Sequence, residues 1–309
     1  MAIVVVGSLG LDTIETPAGR AEEVLGGSAA YFALAARHFL PVSLVAVVGT
    51  DFPHAARTML DHPDLDLDGV EHAEGKTFRW EGVYTQDMNS RDTLRTELNV
   101  FEHFRPHLPA RLRSLRNVFL ANIDPTLQRG VLDQLDQPRL VLADTMNYWI
   151  RTKRQELLRT LKQVRMLLIN EEEARELTGE PLTHRAARAI LDLGPDTVVI
   201  KQGEHGAFLQ TENLYFACPA YPVEGVVDPT GAGDTFAGGF FGALARMGRV
   251  TDVNLRRAVV YGIVLASFTV EGFGVTGLLR VEREEILRRT EAILGMTQFS
   301  LDNTARLLR

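Results

Sequence analysis

The sequence predicts an α/β fold in which helices cover both faces of a mostly parallel central sheet, with a small β-sheet lid at one end. Short apolar runs rich in β-branched residues alternate with amphipathic segments along most of the chain. One region instead alternates apolar and polar residues, and the last third is mainly helical in pattern. The first observation is typical of a parallel sheet between helices, and the second indicates strands with one solvated face.

The central layers are predicted element by element from this alternation. The first two strand–helix pairs are expected at residues 3–6 with 29–38 and 43–48 with 54–60. Further apolar runs, each with a periodic segment after it, lie at residues 118–121, 140–143, 166–169 and 197–200. Helices follow at residues 234–246, 255–269 and 282–294. This order favours a single domain over residues 1–309.

The small lid is predicted from the segments that alternate in polarity. Residues 76–84 and 93–101 alternate around a polar turn at 86–91, and a polar excursion at 13–24 supplies a further strand. Within the single domain, the lid is therefore placed at about residues 12–25 and 76–102. A surface hairpin with no functional role is the alternative interpretation.

The composition excludes some classes of protein. Of 309 residues, 45% are hydrophobic and 24% are charged, and the formal net charge is −7. A diffuse acidic balance argues against nucleic acid as the main partner, because phosphate backbones need clustered Lys and Arg. The N-terminus lacks the basic region of a signal peptide, and no run of about 18 apolar residues predicts a membrane span.

The single cysteine indicates a reducing compartment. Cys218 has no second thiol with which to form an internal disulfide, so a cytoplasmic location is expected. Its thiol is interpreted as a buried or strand thiol rather than as a nucleophile. The histidines show no shared metal-ligand spacing, so a histidine zinc site is not expected.

The most informative stretch lies at residues 228–240, with the sequence DPTGAGDTFAGGF. Gly231 and Gly233 flank the small Ala232 where a helix is predicted to begin. Free N–H groups at a helix start, together with the helix dipole, form an anion site that glycines let a ligand approach closely. The motif therefore predicts stabilisation of the charge on a migrating phosphoryl group.

Asp234 is the predicted catalytic base. It follows the glycines in the first helical turn, where its carboxylate can accept a proton from an attacking hydroxyl. The alternative is an acid that only favours the helix start. Gly238 and Gly239 continue the helix at a cost of about 1 kcal/mol each relative to Ala, which indicates that something packs or binds closely there.

These residues resemble a known family. DPTGAGDTFAGGF closely resembles the C-terminal signature of the ribokinase-like (PfkB) carbohydrate kinases, and GGSAAYFA at residues 26–33 resembles their N-terminal di-glycine signature. No Walker A string occurs. The resemblance covers residue 3 to about residue 294. It implies a ribokinase-like three-layer α/β/α sandwich with a β-sheet lid, and transfer of the γ-phosphate of ATP to a hydroxyl group.

The resemblance also implies where the acceptor binds. Asp12 would accept hydrogen bonds from acceptor hydroxyls, and Gly26 and Gly27 would bring backbone to the substrate. Tyr31 stands where ribokinases carry Asn, which points away from ribose. Further candidates to touch the acceptor are three asparagines and a tryptophan, some at strand ends and some in the predicted lid: Asn122, Asn147, Asn99 and Trp80. A solvent-exposed loop acid is the alternative for Asp12.

The cofactor residues are likewise implied by resemblance. Asn170 and Glu173 match an N-x-x-E motif that organises Mg²⁺ and its waters, although acids at a helix start also have a structural explanation. The residues expected to border the nucleotide are Lys201, Gly203, Thr230, Gly272 and Gly274. Asp228 and Thr230 match the neighbourhood of a monovalent-cation site, such as one for K⁺.

The sequence therefore predicts an ATP-dependent kinase of a small sugar or polyol. A nucleoside kinase is the first alternative, since Tyr31 or Trp80 could stack on a base. A non-catalytic metabolite sensor on a kinase scaffold is the alternative from another class, although a pure sensor need not keep Asp234. The exposed alternating strands of the lid are compatible with a homodimer.

Overall fold

The computed structural model describes residues 1–298, which form two β-sheets and the helices around them. In chain order the strands are β1 (Ile3–Val6), β2 (Gly10–Thr16), β3 (Gly19–Gly26), β4 (Val42–Gly49), β5 (Leu65–Ala73), β6 (Phe78–Tyr84), β7 (Arg91–Glu97), β8 (Asn117–Leu120), β9 (Leu140–Asp144), β10 (Met166–Asn170), β11 (Thr197–Lys201), β12 (Ala207–Gln210) and β13 (Tyr215–Cys218).

Helices connect these strands and follow the last of them. In chain order they are α1 (Ser28–Ala36), α2 (His54–Met59), α3 (Ala110–Arg113), α4 (Pro125–Leu132), α5 (Asn147–Thr152), α6 (Arg154–Leu161), α7 (Glu171–Thr178), α8 (Thr183–Leu191), α9 (Ala232–Met247), α10 (Asp252–Thr269), α11 (Thr276–Leu279) and α12 (Arg283–Thr297). Short 3₁₀ turns lie at Asn99–His103 and Gly203–His205.

The large sheet is the middle of three layers. Its strand order is β13-β12-β11-β10-β9-β8-β1-β4-β5, and every strand runs in the same direction except β12, which is antiparallel to both of its neighbours. Successive β1 side chains enter different apolar clusters: Val5 packs on the side of α1, α9 and α10, whereas Val4 and Val6 pack on the side of α4, α6 and α8. Both faces of the sheet are thus buried under helices, and the predicted fold class is confirmed.

Two strands of the large sheet, β5 and β12, were not predicted. β5 carries acids at alternate positions in its first half, so it lacks a clear apolar pattern. β12 follows β11 where a periodic segment was expected. The alternating pattern of residues 212–216 predicts a strand, but β13 begins only at Tyr215, because the Thr211 N–H donates to the Leu214 carbonyl and closes a tight turn before it.

The small sheet contains four strands in the order β3-β2-β6-β7. The polar excursion near the N-terminus forms two antiparallel strands rather than one. The strand predicted at 93–101 ends at Glu97, and a 3₁₀ turn begins at Asn99, whose φ is +51°. That backbone conformation does not continue a strand, which corrects the predicted boundary.

Helix α9 runs between α1 and α10, and its glycines permit the close approach. A Cβ at Gly238 would overlap the carbonyl oxygen of Phe32 in α1, and one at Gly239 would lie 2.7 Å from the carbonyl oxygen of Tyr261 in α10. Gly238 and Gly239 predicted that something packs closely against this helix, and the structure shows that α1 and α10 do so.

Cys218 ends β13 as a buried free thiol, and burial raises its pKa to about 11. The interpretation of a buried strand thiol is thus confirmed, since a thiol with so high a pKa is a poor nucleophile at neutral pH. Over residues 1–298, no helix combines the length and apolarity needed to cross a membrane.

Candidate active site

The start of α9 is held in place by a buried carboxylate. Asp228 is 0% exposed, and its two oxygens accept hydrogen bonds from the backbone N–H groups of Thr230 (2.8 Å) and Gly274 (2.9 Å). These bonds join the turn before α9 to the loop at 272–274. The carboxylate therefore fixes the two segments relative to each other, whatever else binds beside them.

The first turn of α9 presents unpaired backbone donors. Gly231 is the N-cap in a left-handed conformation, with φ +76°, and Thr235 is the first residue to donate to its carbonyl. Within the described part of the chain, no backbone carbonyl accepts from the N–H groups of Gly233 and Asp234. Free N–H groups at a helix start are typical of an anion site, and the site predicted there from the sequence stays a prediction.

Tyr31 of α1 packs against this turn. A Cβ at Gly231 would overlap the Tyr31 ring, so only glycine leaves room for it. The Tyr31 hydroxyl is buried and has no hydrogen-bond partner among residues 1–298. Burial raises its pKa well above the usual value, and the negative charges of Asp12 and Asp228 add to the shift. An acceptor with a polar group is one way to satisfy this hydroxyl.

Asp12 belongs to β2 of the small sheet, and its side chain lies against the di-glycine. It is 4% exposed, and a Cβ at Gly26 would overlap its carboxylate. Gly27, with φ +96°, caps α1 in close contact with the backbone of Ser8. Burial raises the pKa of Asp12 to about 8, and the nearby charges of Asp228 and Asp234 act in the same direction. The carboxyl makes no protein hydrogen bond within the described residues, so it is available to a ligand.

Asp234 is half-buried at the edge of the same cleft. Burial raises its pKa to about 7, and the charge of Asp144 raises it further, while Lys201 and Arg91 lower it. Its side chain makes no hydrogen bond to any described residue. A carboxylate whose pKa lies near neutrality and which is free of protein partners suits proton transfer.

Lys201 lies beside the anion site. Its Nζ donates to the Asp144 Oδ2 at 2.9 Å and lies 3.2 Å from the position that a Cβ on Gly233 would take. Asp144 ends β9 and Lys201 ends β11, and the C-terminal ends of parallel strands meet at one edge of a sheet. Asp144 and Lys201 belong to no common sequence motif, so their pairing comes from the fold.

Asn170 and Glu173 form a capping box at the start of α7. Glu173 N–H donates to the Asn170 Oδ1 at 2.8 Å, and Asn170 N–H donates to the Glu173 Oε2 at 2.9 Å. Burial raises the pKa of Glu173 to about 7, and the Lys201 charge opposes that shift. The pair therefore has a structural role, and the other Glu173 oxygen stays without a protein partner in the described residues.

Two functional candidates from the small sheet were missed by the sequence interpretation. The Tyr84 hydroxyl accepts a hydrogen bond from the Thr230 Oγ1 at 3.1 Å, just before α9. Arg91 pairs with Tyr84 across β6 and β7, and its charge lowers the pKa of Asp12, Glu173 and Asp234. A lone arginine ending a polar turn gave no sequence signal.

The three asparagines predicted to touch an acceptor all have protein partners. Asn99 donates to the Thr77 carbonyl at 2.9 Å, and Asn147 donates to the Glu176 Oε2 at 2.7 Å. The Asn122 Oδ1 accepts from the Trp149 indole N–H at 2.9 Å. These contacts orient the three side chains, and their contact with an acceptor stays a prediction.

Glycine-containing loops border the cleft on the side where the sequence predicts a nucleotide. Gly203 has φ +55°, and the neighbouring Glu204 accepts a hydrogen bond from Asn89 at the tip of the β6–β7 hairpin, at 3.3 Å. Gly274 has φ +56° and packs against Val24 of β3, while Gly272 lies against the Thr276 hydroxyl. The small sheet thus touches both loops and the start of α9.

We expect Asp12→Asn to make the protein more stable at alkaline pH. The folded-state pKa of Asp12 is about 8, above the value of about 3.9 expected in the unfolded chain. Stability is therefore lost as pH rises from about 4 to 8, because ionising the buried carboxyl is unfavourable, and Asn removes that penalty. Thermal unfolding at pH 8.5 should shift upward by at least about 3 °C, with little change near pH 4.

The control is Asp136→Asn, which changes an exposed carboxylate between α4 and β9. It should leave the unfolding temperature nearly unchanged at both pH values. An Asp12→Asn protein that melts below wild type at pH 8.5 would contradict the burial penalty assigned to Asp12.

A buried acidic cleft that adjoins unpaired N–H groups at a helix start suits phosphoryl transfer, and the fold and site together define a small-molecule kinase. The chain belongs to the pfkB family of carbohydrate kinases, whose family model matches residues 2–280. It is 34% identical over 250 residues to the cytidine kinase of Thermococcus kodakarensis, a match that covers 79% of this chain and 88% of that relative.

Solved structures share the fold at low sequence identity. The nucleoside kinase of Burkholderia thailandensis in complex with ADP-inosine has a TM-score of 0.79 at 16% identity, and the alignment covers 97% of this chain and 100% of that one. A putative ribokinase II from E. coli in complex with ATP and Mg²⁺ has a TM-score of 0.76 at 18% identity, covering 96% and 99%. The ribokinase-like sandwich predicted from the sequence is thereby confirmed.

Proposed function

We propose that the protein transfers the γ-phosphate of ATP to a hydroxyl of a small sugar or polyol, with Asp234 as the base. The observation that carries this proposal is the start of α9, where a carboxylate without protein partners adjoins free N–H groups. The charge of Asp234 raises the pKa of Asp12, so the two carboxyl groups are near neighbours and can line one acceptor-binding cleft. Membership of the pfkB family supports the same reaction.

In the proposed reaction the acceptor oxygen attacks the γ-phosphorus. Its proton passes to an oxygen of the Asp234 carboxylate, the new O–P bond forms, and the bond between the γ-phosphorus and the β,γ-bridging oxygen breaks, so that ADP leaves. The N–H groups of Gly233 and Asp234 face the charge on the migrating phosphoryl group, next to Gly231 and Ala232. Asp12 orients the acceptor through its hydroxyl groups.

The residues at the start of α7 fit a magnesium ion held through water. One Glu173 oxygen is free of protein partners, and a nearby cation would favour the charged form of this buried carboxylate. Among residues 1–298, no group of three or more His, Cys, Asp or Glu side chains is arranged to hold a metal ion, so phosphates and waters would have to supply most of the ligands. Mg²⁺ would supply charge neutralisation to the polyphosphate beside Asn170 and Glu173.

ATP would lie along the loops on the same side of the sheet. Lys201 would meet phosphate oxygens, and the glycine-containing segments would bring backbone to the nucleotide: Gly203, Thr230, Gly272 and Gly274. Asp228 already uses both oxygens on backbone N–H groups. A monovalent cation there would accordingly be held mainly by main-chain carbonyls, with Asp228 shaping the loop.

A nucleoside is the second candidate acceptor, and the position of Trp80 beside Asp12 in the small sheet favours it. Trp80 pairs with Asp12 across β6 and β2, so both side chains point to the same face of the small sheet. An indole on that face offers a flat surface to a base, while Asp12 binds ribose hydroxyls. The likeness to a cytidine kinase supports this candidate.

The small sheet is proposed to act as a lid within a single kinase domain. Tyr84 bonded to Thr230 and Asn89 bonded to Glu204 anchor it over the cleft. Closure over the acceptor would exclude water and suppress futile hydrolysis of ATP. The homodimer through this sheet and the cytoplasmic location remain predictions from the sequence.

A panel of sugars, polyols and nucleosides, each with ATP and Mg²⁺, tests the proposed function. We expect acceptor-dependent ADP release and a phosphorylated product detected by mass spectrometry. Calorimetry without ATP separates the candidates, because a stacked base predicts saturable binding of free nucleosides and a sugar site predicts none. Saturable ligand binding with no phosphorylated product would instead favour the sensor.

A further inference from the structure

A buried arginine of the last helix binds the segment that follows α10. Arg289 of α12 is 6% exposed, and its Nη2 donates to both carboxylate oxygens of Glu271, at 2.8 and 3.0 Å. Glu271 lies two residues beyond the end of α10 and directly before Gly272. The arginine therefore holds the start of the loop at 272–274 through a charge-assisted contact.

The other contacts of the guanidinium fix its own position. Its Nη1 donates to the Ser267 Oγ of α10 at 2.8 Å, and its Nε donates to the Glu285 Oε1 of α12 at 3.1 Å. Its central carbon lies 3.8 Å from the centre of the Phe268 ring and 4.7 Å from the centre of the Tyr221 ring. Because two helices and two aromatic rings hold Arg289, it is a fixed point against which the loop is placed.

The same loop is tied to the segment before α9 and to the small sheet. The Val270 carbonyl accepts from the backbone N–H of Asp228 at 3.3 Å, and the Gly274 N–H donates to the Asp228 carboxylate at 2.9 Å. The Phe273 ring lies 3.8 Å from the position that a Cβ on Gly19 would take, at the turn between β2 and β3. A displaced loop would disturb these contacts and would present its backbone to ATP in a different place.

We propose that Arg289 is a positioning residue for ATP, which acts through Glu271 to hold the loop at 272–274 in the geometry that binds the nucleotide. The proposal rests on the phosphotransfer function proposed above, in which Gly272 and Gly274 border ATP. Neither Arg289 nor Glu271 touches the reacting atoms. Loss of their contact should weaken the binding of ATP equally in the ground state and the transition state, which raises KM and leaves kcat nearly unchanged.

Glu271→Gln and Arg289→Gln test this role, with Glu285→Gln as the matched control. Glu271 and Glu285 have similar side-chain exposure, 36% and 34%, and both bind the Arg289 guanidinium, but Glu285 belongs to α12 itself and not to the loop. We expect Glu271→Gln to raise KM for ATP, and the Kd of ATP with Mg²⁺ from calorimetry, by about 10-fold, because a charged contact to the loop is lost. With an acceptor that wild type phosphorylates, kcat should change little. Glu285→Gln should keep both constants near those of wild type.

A conservative variant and a double variant distinguish positioning from a loss of folding. Arg289→Lys keeps the positive charge and should recover part of the ATP affinity that Arg289→Gln loses. Arg289→Gln combined with Glu271→Gln should bind ATP no more weakly than Arg289→Gln alone, because both changes remove the same contact. Because Glu271 is exposed, Glu271→Gln should remain folded even if Arg289→Gln does not, and thermal unfolding checks this.

The positioning role and the kinase function can fail separately. Wild-type ATP affinity in Glu271→Gln, or an equal loss in Glu285→Gln, would overturn the positioning role while leaving the kinase function intact. Losses that add in the double variant would show that the two residues act independently, which would also overturn it. Failure of the wild-type protein to bind ATP with Mg²⁺ would contradict the proposed function itself.

Discussion

Asp234→Asn is expected to lower kcat by about 1,000-fold or more while the protein still binds its acceptor and ATP. Asparagine keeps the size and shape of the side chain but cannot take the proton of the attacking hydroxyl. The pKa of Asp234 is about 7, so wild-type kcat/KM should rise with pH around neutrality, as the base loses its proton. The residual activity of the variant should not follow that curve. Steady-state kinetics and isothermal titration measure the two effects separately.

Asp252→Asn is the matched control for Asp234→Asn. Asp252 also lies in the first turn of a long helix, α10, but it is exposed. If Asp234 only favoured the start of α9, the two variants would behave alike, with small losses of stability and unchanged turnover. Unchanged turnover in Asp234→Asn would remove this residue from the role of base.

Gly231→Ala is expected to lower kcat by about 100-fold and to destabilise the protein. Gly231 has a left-handed backbone, which costs an L-residue about 1–2 kcal/mol. A Cβ there would also overlap the Tyr31 ring, so the turn that presents the N–H groups of Gly233 and Asp234 must move. A displacement near 1 Å at a reacting centre can cost about 100-fold in rate. Kinetics and thermal unfolding measure the two consequences.

Gly248→Ala isolates the backbone contribution. Gly248 ends the same helix with φ +71°, and a Cβ there would have no neighbour within 4 Å. This variant should lose only the stability that the left-handed backbone costs, with wild-type kcat. Equal activity of Gly231→Ala and Gly248→Ala would show that the geometry of the turn is not needed for catalysis.

The parallel core could be predicted because its signals are local. The strand at Ile3–Val6 is buried on both faces, so an unbroken apolar run marked it, and the helices after it were marked by their period. β5 could not be recognised in the same way, since its exposed positions carry mixed polarity, and β13 was recognised only in part, from the alternation at residues 212–216. Strands at the edges of the sheet depend on pairing with a neighbour more than on their own sequence.

The residues of the candidate site also fall into two groups, those predicted by a local motif and those brought together only by the fold. Gly231 and Asp234 are three positions apart in the chain, so a single motif predicted that both lie at a helix start. Lys201 and Asp144 are separated by many residues and meet only because β9 and β11 end at one edge of the sheet. Arg91 reaches the cleft through the register of β6 and β7, which no local pattern in its turn indicated.

The sequence alone determined the class of fold, through patterns local to each strand and helix, and it placed Gly231 and Asp234 together at the predicted start of one helix, because they lie within a few positions of one another. Only the tertiary structure decided which distant charges surround the Asp234 carboxylate: Lys201 with its partner Asp144, Arg91 of the small sheet and the buried Asp12. Their effect depends on distance and burial, and both arise when separate strands and helices pack together.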